Sequence, residues 1–208
     1  MTAQHHILKE AGDTLGQLLQ GIFKENGYKR VHLVVAAPKS EAIEGKLPAV
    51  CVYLYNLTLD EEGIGSNRTG VFIEQVTTPD GRTVEVERQM PLWVRLDYLV
   101  STWAQTPEEE QLLMGAAIKG LLEHPTVAGA ELKGESFHKD AYLPISMSQK
   151  LDEGVLSRFW ASLNQPMKPA MQVWTTVPIF PSGDVEIRRV QEKDVRFFDL
   201  NKLNRLKR

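Results

Sequence analysis

Apolar residues recur at helical spacing in three stretches of the chain and alternate with polar ones through most of the rest. Between 4 and 25, Ile7, Leu8, Leu15, Leu18, Leu19, Ile22 and Phe23 fall at helical spacing, which predicts an amphipathic helix closed by Gly27. Gly12, Gly16 and Gly21 weaken that helix intrinsically, a penalty that close packing on its apolar face can offset. A short strand, 30–38, ends at Pro38, and a polar loop leads to "LPAVCVYLYNLTLD" (47–60), rich in β-branched and aromatic residues and therefore a strand. After the glycine-bearing loop "EEGIGSNRTG" (61–70), two alternating arms flank Pro79-Asp80-Gly81, a strong hairpin signal. Both arms alternate polar with apolar, so the hairpin (71–88) has a wet face.

"MPLWVRLDYLVSTWA" (90–104) is a long strand with Leu92, Val94, Leu96, Tyr98 and Val100 on one face. Trp93, Arg95, Asp97, Leu99 and Ser101 fall on the other. Thr106-Pro107-Glu108-Glu109 starts a helix: a threonine cap, proline in the first turn, acids near the positive end of the dipole. It runs to about Glu123, presenting Leu112, Leu113, Ala116, Ile118, Leu121 and Leu122, and His124-Pro125 stops it. "YLPISMSQ" is a strand. "VLSRFWASLNQPMKPAMQVWTTVPI" (155–179) reads as an amphipathic helix, a proline-studded crossing and a strand. "VEIRRVQ" follows as a further strand, and "RFFDLNKLNRLKR" ends the chain.

These elements predict an α+β fold: a two-layer, mostly antiparallel mixed sheet of about six strands packed with three helices, plus a C-terminal arm. The expected organisation is one domain over 1–181, with a strand and basic arm over 182–208. Composition fits an ordinary globular chain, with 42% of the 208 residues hydrophobic and 25% charged. The formal net charge of −3 provides no general attraction to nucleic acid or anionic membrane. Cys51 is the single cysteine and sits in an apolar run, so it reads as a buried small hydrophobe. The N-terminal residues lack a signal-peptide apolar region, and no apolar run approaches the ~20 residues that span a bilayer. The expectation is a soluble protein made in the cytosol.

Catalytic chemistry is not written in any motif. His5, His6, His32, His124 and His138 stand in no metal-ligand spacing with another ligand, so no metal or cofactor is expected. "GIGSNRTG" lacks the lysine and spacing of a P-loop and has Arg68 where a dinucleotide loop needs glycine. Arg95 and Asp97, two residues apart on one strand face, suit a subunit contact better than a catalytic pair. At the C-terminus Lys202, Arg205, Lys207 and Arg208 cluster without an acid among them, a tip that fits phosphate or an acidic protein partner. Without aromatic-basic interleaving of the kind single-strand binders use, nucleic acid is not the expected partner.

Two segments, "PLWVRLDYLVSTWAQTPEEEQLLMGAAIKGLLEHP" and "VLSRFWASLNQPMKPAMQVWTTVPI", resemble the cap, or tail-terminator, family of contractile injection systems. These are phage-tail-like particles of the antifeeding-prophage and virulence-cassette type. The resemblance lies in Tyr98-Leu99-Val100 and Trp103-Ala104 ending a strand, the acid-rich helix start and Leu-Leu segment within Glu108 to Gly115, and the helix bearing Leu156, Trp160 and Leu163. The second strand and the N-terminal helix fit as well, so the resemblance reaches to about residue 180.

The resemblance implies a structural role rather than an enzyme: a six-fold ring that ends the inner tube and anchors the last sheath layer. Implied partners are further copies of the chain, the sheath protein and the inner-tube protein, with assembly in the cytoplasm and no nucleic acid or membrane. The hairpin and the polar face bearing Arg95 and Asp97 would supply ring contacts. The strand at 185–191 could add to a neighbour's sheet edge. The arm, through Arg188, Arg189, Phe197, Phe198, Lys202, Arg205, Lys207 and Arg208, would grip the sheath. Two alternatives stay open: another tail or baseplate component of such a particle, and a small cytosolic enzyme with a site drawn from Arg95, Asp97 and His138. The bulk at Leu156, Phe159, Trp160 and Leu163 is expected to be scaffold packed on the sheet.

Overall fold

In a computed structural model of the chain, the described residues are 4–59, 70–138, 140–148, 153–181 and, for the backbone alone, 185–186. In chain order they form α1 (Ile7–Glu25), β1 (His32–Val34), α2 (Ser40–Ile43), β2 (Ala49–Leu59), β3 (Val71–Thr77), β4 (Thr83–Gln89), β5 (Leu92–Trp103) and α3 (Pro107–Glu123). There follow β6 (Thr126–Ala128), β7 (Tyr142–Pro144), β8 (Ser146–Met147), α4 (Glu153–Ser162), β9 (Ala170–Ile179) and β10 (Val185–Glu186). The chain divides into two units.

The larger unit is built on a five-stranded mixed sheet in the order β1-β2-β5-β9-β8, antiparallel except where β1 runs parallel to β2. Strand β5 is central because its alternation carries large apolar residues on one side without a break. Val94, Leu96, Tyr98 and Val100 are buried there with Val50 and Val52 of β2, Val173 and Val177 of β9, and the apolar faces of α1 and α3. A β6–β7 ribbon adds Val127 and Leu143 to the same core.

The glycines of α1 and α3 mark where elements approach closely. Gly12 lies against the ring of Tyr98, and a β-carbon at Gly16 would stand 2.6 Å from Leu33. At the α1–α3 crossing a β-carbon on Gly120 would fall 2.2 Å from the side chain of Ile22, itself buried. Gly21 has nothing within 4 Å. The two positions should therefore respond oppositely in thermal unfolding. Gly21→Ala should stabilise by about 0.5–1 kcal/mol through helix propensity, whereas Gly120→Ala should destabilise by about 2 kcal/mol through overpacking. Trimming Ile22 to Ala should remove most of the second penalty. Equal effects at the two sites would contradict the close crossing.

Helix α3 starts as its sequence predicts, with the Thr106 hydroxyl accepting from the Glu109 N–H at 3.3 Å and proline in the first turn. Its buried face differs from the expectation. Leu113, Met114, Ala117, Gly120 and Leu121 face inward, while Leu112, Ile118 and Leu122 are exposed. The helix is apolar on two sides, so periodicity alone could not choose between them. Helix α1 closes at Gly27 (φ 88°), with Tyr28 N–H returning to the Phe23 carbonyl at 2.9 Å. Its Glu10 carboxylate accepts the N–H groups of Ser136 (2.9 Å) and Glu135 (3.3 Å), tying down the loop before β7.

The α+β class and the mixed, mostly antiparallel sheet agree with the sequence. The helices, however, are shared between the two faces of the sheet. α1 and α3 cover one, and α2 and α4 cover part of the other, where Val34, Ile43, Ala49, Cys51, Leu99, Trp103, Leu156 and Trp160 form a second core.

The smaller unit is a three-stranded antiparallel sheet, β10-β4-β3. Its β3–β4 turn carries Gly81 at φ 82°, as Pro79-Asp80-Gly81 predicts. Val71 and Ile73 are exposed on one face of β3, and Val86 of β4 is buried on the opposite one. Val185–Glu186, the start of the segment expected to add to a neighbour's sheet, pairs instead with Glu87 and Val86 of its own chain. Residues 187–191 of that segment lie outside the described residues.

Candidate docking surface

Among the described residues of the larger unit, helices cover only one half of the second face of the five-stranded sheet. There, α4 lays Leu156 and Trp160 on the sheet, Trp160 meeting Trp103 at 6.0 Å between ring centroids and Phe159 at 5.5 Å. Phe159 stacks on Tyr53 at 5.7 Å. The Trp103 indole donates to the Ser101 hydroxyl at 3.0 Å. Lys168, on the crossing to β9, lies 4.5 Å over the Trp103 ring and pairs with Glu110 of α3. Cys51 is buried here, and burial pushes its thiol up to about 12, so it is no nucleophile at neutral pH. The bulk of this segment packs on the sheet, as expected.

The other half of the face is polar and bears no helix among the described residues. Its centre is Asp97, 3% exposed. Its carboxylate accepts from Arg95 Nε at 3.0 Å, Gln172 Nε2 at 3.1 Å and Asn56 Nδ2 at 3.0 Å, three donors from three adjacent strands. The Arg95 guanidinium lies 4.3 Å from the centroid of the Trp174 ring. A register shift between Leu54 and Asn56, at Tyr55, lets Asn56 stand opposite Asp97. Burial foremost, then the Asp97 charge, pushes the Tyr55 hydroxyl upward, partly offset by Arg95. A buried carboxylate survives only when its oxygens are satisfied, and these are.

The structure thus brings Arg95 and Asp97 together as an ion pair. Sequence reasoning missed Asn56, Gln172 and Trp174, which complete the cluster. The available signal was a charge amid the apolar central strand, which must find donors on its neighbours. His138 is exposed and is not among the partners of Asp97. Arg188, Arg189, Phe197, Phe198, Lys202, Arg205, Lys207 and Arg208 lie outside the described residues, as does most of the "GIGSNRTG" loop.

Among the described residues no group of three or more His, Cys, Asp or Glu is placed to hold a metal, and no helix is long and apolar enough to cross a membrane. A groove of about 280 Å³ runs beside α1, lined by Thr14, Leu18, Gly21, His124, Val127 and Lys133 among others. Its Thr14 hydroxyl is spent on backbone, donating to the Glu10 carbonyl at 2.7 Å and accepting from the Lys133 N–H at 3.0 Å.

The model of the Pvc16 N-terminal domain family matches residues 10–192. No curated protein matches the chain. Among solved structures, the anti-feeding prophage cap (AFP tube terminating cap) is similar with a TM-score of 0.60 at 18% identity, over 89% of this chain and 59% of that one. The PVC sheath/tube terminator of an extracellular contractile injection system, in its extended state, is similar with a TM-score of 0.56 at 14% identity, over 93% of this chain and 68% of that one. The chain therefore spans about three fifths of the length of the first structure and two thirds of the second.

Proposed function

Because the chain belongs to the Pvc16 N-terminal domain family, we propose that it is the structural cap of a contractile injection system, forming a six-fold ring that ends the inner tube and anchors the last sheath layer. The observation that carries this reading is the shared fold: both neighbouring structures are terminators, one of a tube and one of sheath and tube.

A ring needs heterologous contacts that close, so each copy must offer two different surfaces. The half-open sheet face around Arg95 and Asp97 supplies one. It is preformed and polar, and it carries Arg95 with Trp93 and Trp174, residue types that concentrate binding energy at protein interfaces. The edge of β3, which among the described residues pairs only with β4, supplies a candidate for the other. The C-terminal arm, with Arg188, Arg189, Phe197, Phe198, Lys202, Arg205, Lys207 and Arg208, is assigned to the sheath for its mixture of aromatic and basic residues. Assembly would take place in the cytoplasm before any release of the particle.

The test is the mass in solution by light scattering, for the protein alone and with tube and sheath proteins added. Six copies, formed alone or on addition, are expected, whereas a monomer indifferent to both proteins would overturn the cap. A chain cut after Glu186 keeps the β10–β4 pairing and should still form the ring while losing retention of sheath protein in a pull-down. Loss of the ring itself would remove the arm from sheath binding and assign it to the subunit contact.

A further inference from the structure

The Arg95 side chain is held at two points and unused at a third. Its Nε donates to Asp97, and its plane rests on Trp174. Asp97 cannot swing away, because Asn56 and Gln172 hold it from the strands on either side. The two η nitrogens of Arg95 have no partner among the described residues, and the side chain is 36% exposed. The residues flanking Arg95 across the sheet are Thr58 and Thr176, both with short side chains. Two positions along the same strand and face, the indole N–H of Trp93 is buried without a partner among the described residues. Both carboxylate oxygens of Asp97 are already engaged by Arg95 Nε, Gln172 and Asn56, so the η nitrogens of Arg95 are left for an acceptor from outside the cluster.

A planar fork fixed in direction, with free N–H groups and an aromatic floor, matches the bidentate geometry of a carboxylate. Ordering an arginine normally opposes binding, and here the subunit has already ordered it. We propose that Arg95 is the anchor for a glutamate or aspartate carboxylate of a second copy of this chain, in the head-to-tail contact of the ring. This rests on the ring reading above. A second copy can supply the complementary charge, because its surface carries exposed carboxylates to set against the fork. Exposed Glu41, Glu44, Glu108 and Glu131 have no partner among the described residues. A heterologous contact joins different patches, so the carboxylate comes from elsewhere on the neighbour and the neighbour's own Arg95 remains free for the next copy.

The test uses the full-length Arg95→Lys variant, whose amine a water-soluble carbodiimide can join to a carboxylate only at direct contact. Equal amounts of ¹⁵N-labelled and unlabelled protein are mixed under assembly conditions, with tube protein present if the ring requires it. Mass spectrometry then locates the amide, and light scattering on the same sample reports the ring. An amide from position 95 to a glutamate or aspartate in mixed-isotope pairs is the expected result. A six-copy species whose position 95 links only to Asp97 of its own chain, or to nothing, would overturn the anchor and leave the ring standing. A link to tube or sheath protein would also overturn it, by giving the fork another partner. Absence of any six-copy species from the wild-type protein under the same conditions would remove the ring reading and the anchor together, whereas a ring formed by wild type and lost only in Arg95→Lys would support the anchor.

Discussion

Trp160→Ala should lower the thermal unfolding midpoint of the protein by roughly 8–16 °C, the equivalent of about 4 kcal/mol in a chain of this size. Trp160 is 1% exposed and lies at the centre of the second core, with Trp103 and Phe159 rings against it and Leu156 one turn earlier on the same helix face. Truncation removes the largest buried side chain of the sheet's second face and leaves a cavity that rigid neighbours cannot collapse into. Trp160→Phe separates volume from polarity. The Trp160 indole N–H is buried without a partner among the described residues, so phenylalanine gives up no hydrogen bond to them and should lose only about 1–2 kcal/mol of packing. Circular dichroism against temperature checks both variants. A midpoint within about 2 °C of wild type for the alanine variant would mean that α4 is not docked on the sheet in solution.

The same helix shows what the chain makes legible and where it stops. Leu156, Phe159, Trp160 and Leu163 announce an amphipathic helix by spacing alone, and a helix with that apolar face must be covered. Nothing in the spacing says which sheet face covers it. That choice was made by Cys51, Leu99 and Trp103, which provide an apolar floor on the side of β5 that alternation marks as polar. Local signals did better where the chemistry is local. Thr106-Pro107 and Pro79-Asp80-Gly81 constrain the backbone within a few residues, and both elements form where those residues place them.

Asp97 is the opposite case. Period-two alternation puts it beside Arg95, which the structure bears out, but its burial depends on Asn56, 41 residues away in sequence, and Gln172, 75 away. The docking surface was thus half legible. Its charged pair was visible from one strand, and the platform that fixes the pair required three strands in register.

Asp97→Ala, for that reason, should destabilise by about 3 kcal/mol, a midpoint fall of roughly 6–12 °C. The substitution removes one acceptor and strands three donors at once. The two amides bear most of the loss, because Arg95 is partly exposed and can recover water. Asp97→Asn keeps the shape and one acceptor oxygen while removing the charge, so about half of that loss is expected. Arg95→Ala alone should cost about 1 kcal/mol, since Asp97 retains Asn56 and Gln172. The double variant carries the decisive number. If Arg95 is ordered through Asp97, the two losses cannot add, and Asp97→Ala with Arg95→Ala should fall short of their sum by at least about 0.5 kcal/mol in urea unfolding. The same Asp97→Ala chain, still folded below its lowered midpoint, should then assemble poorly if Arg95 is the proposed anchor, because its fork is no longer aimed. Strict additivity, or normal assembly from a destabilised Asp97→Ala subunit, would show that Asp97 maintains the sheet without positioning Arg95.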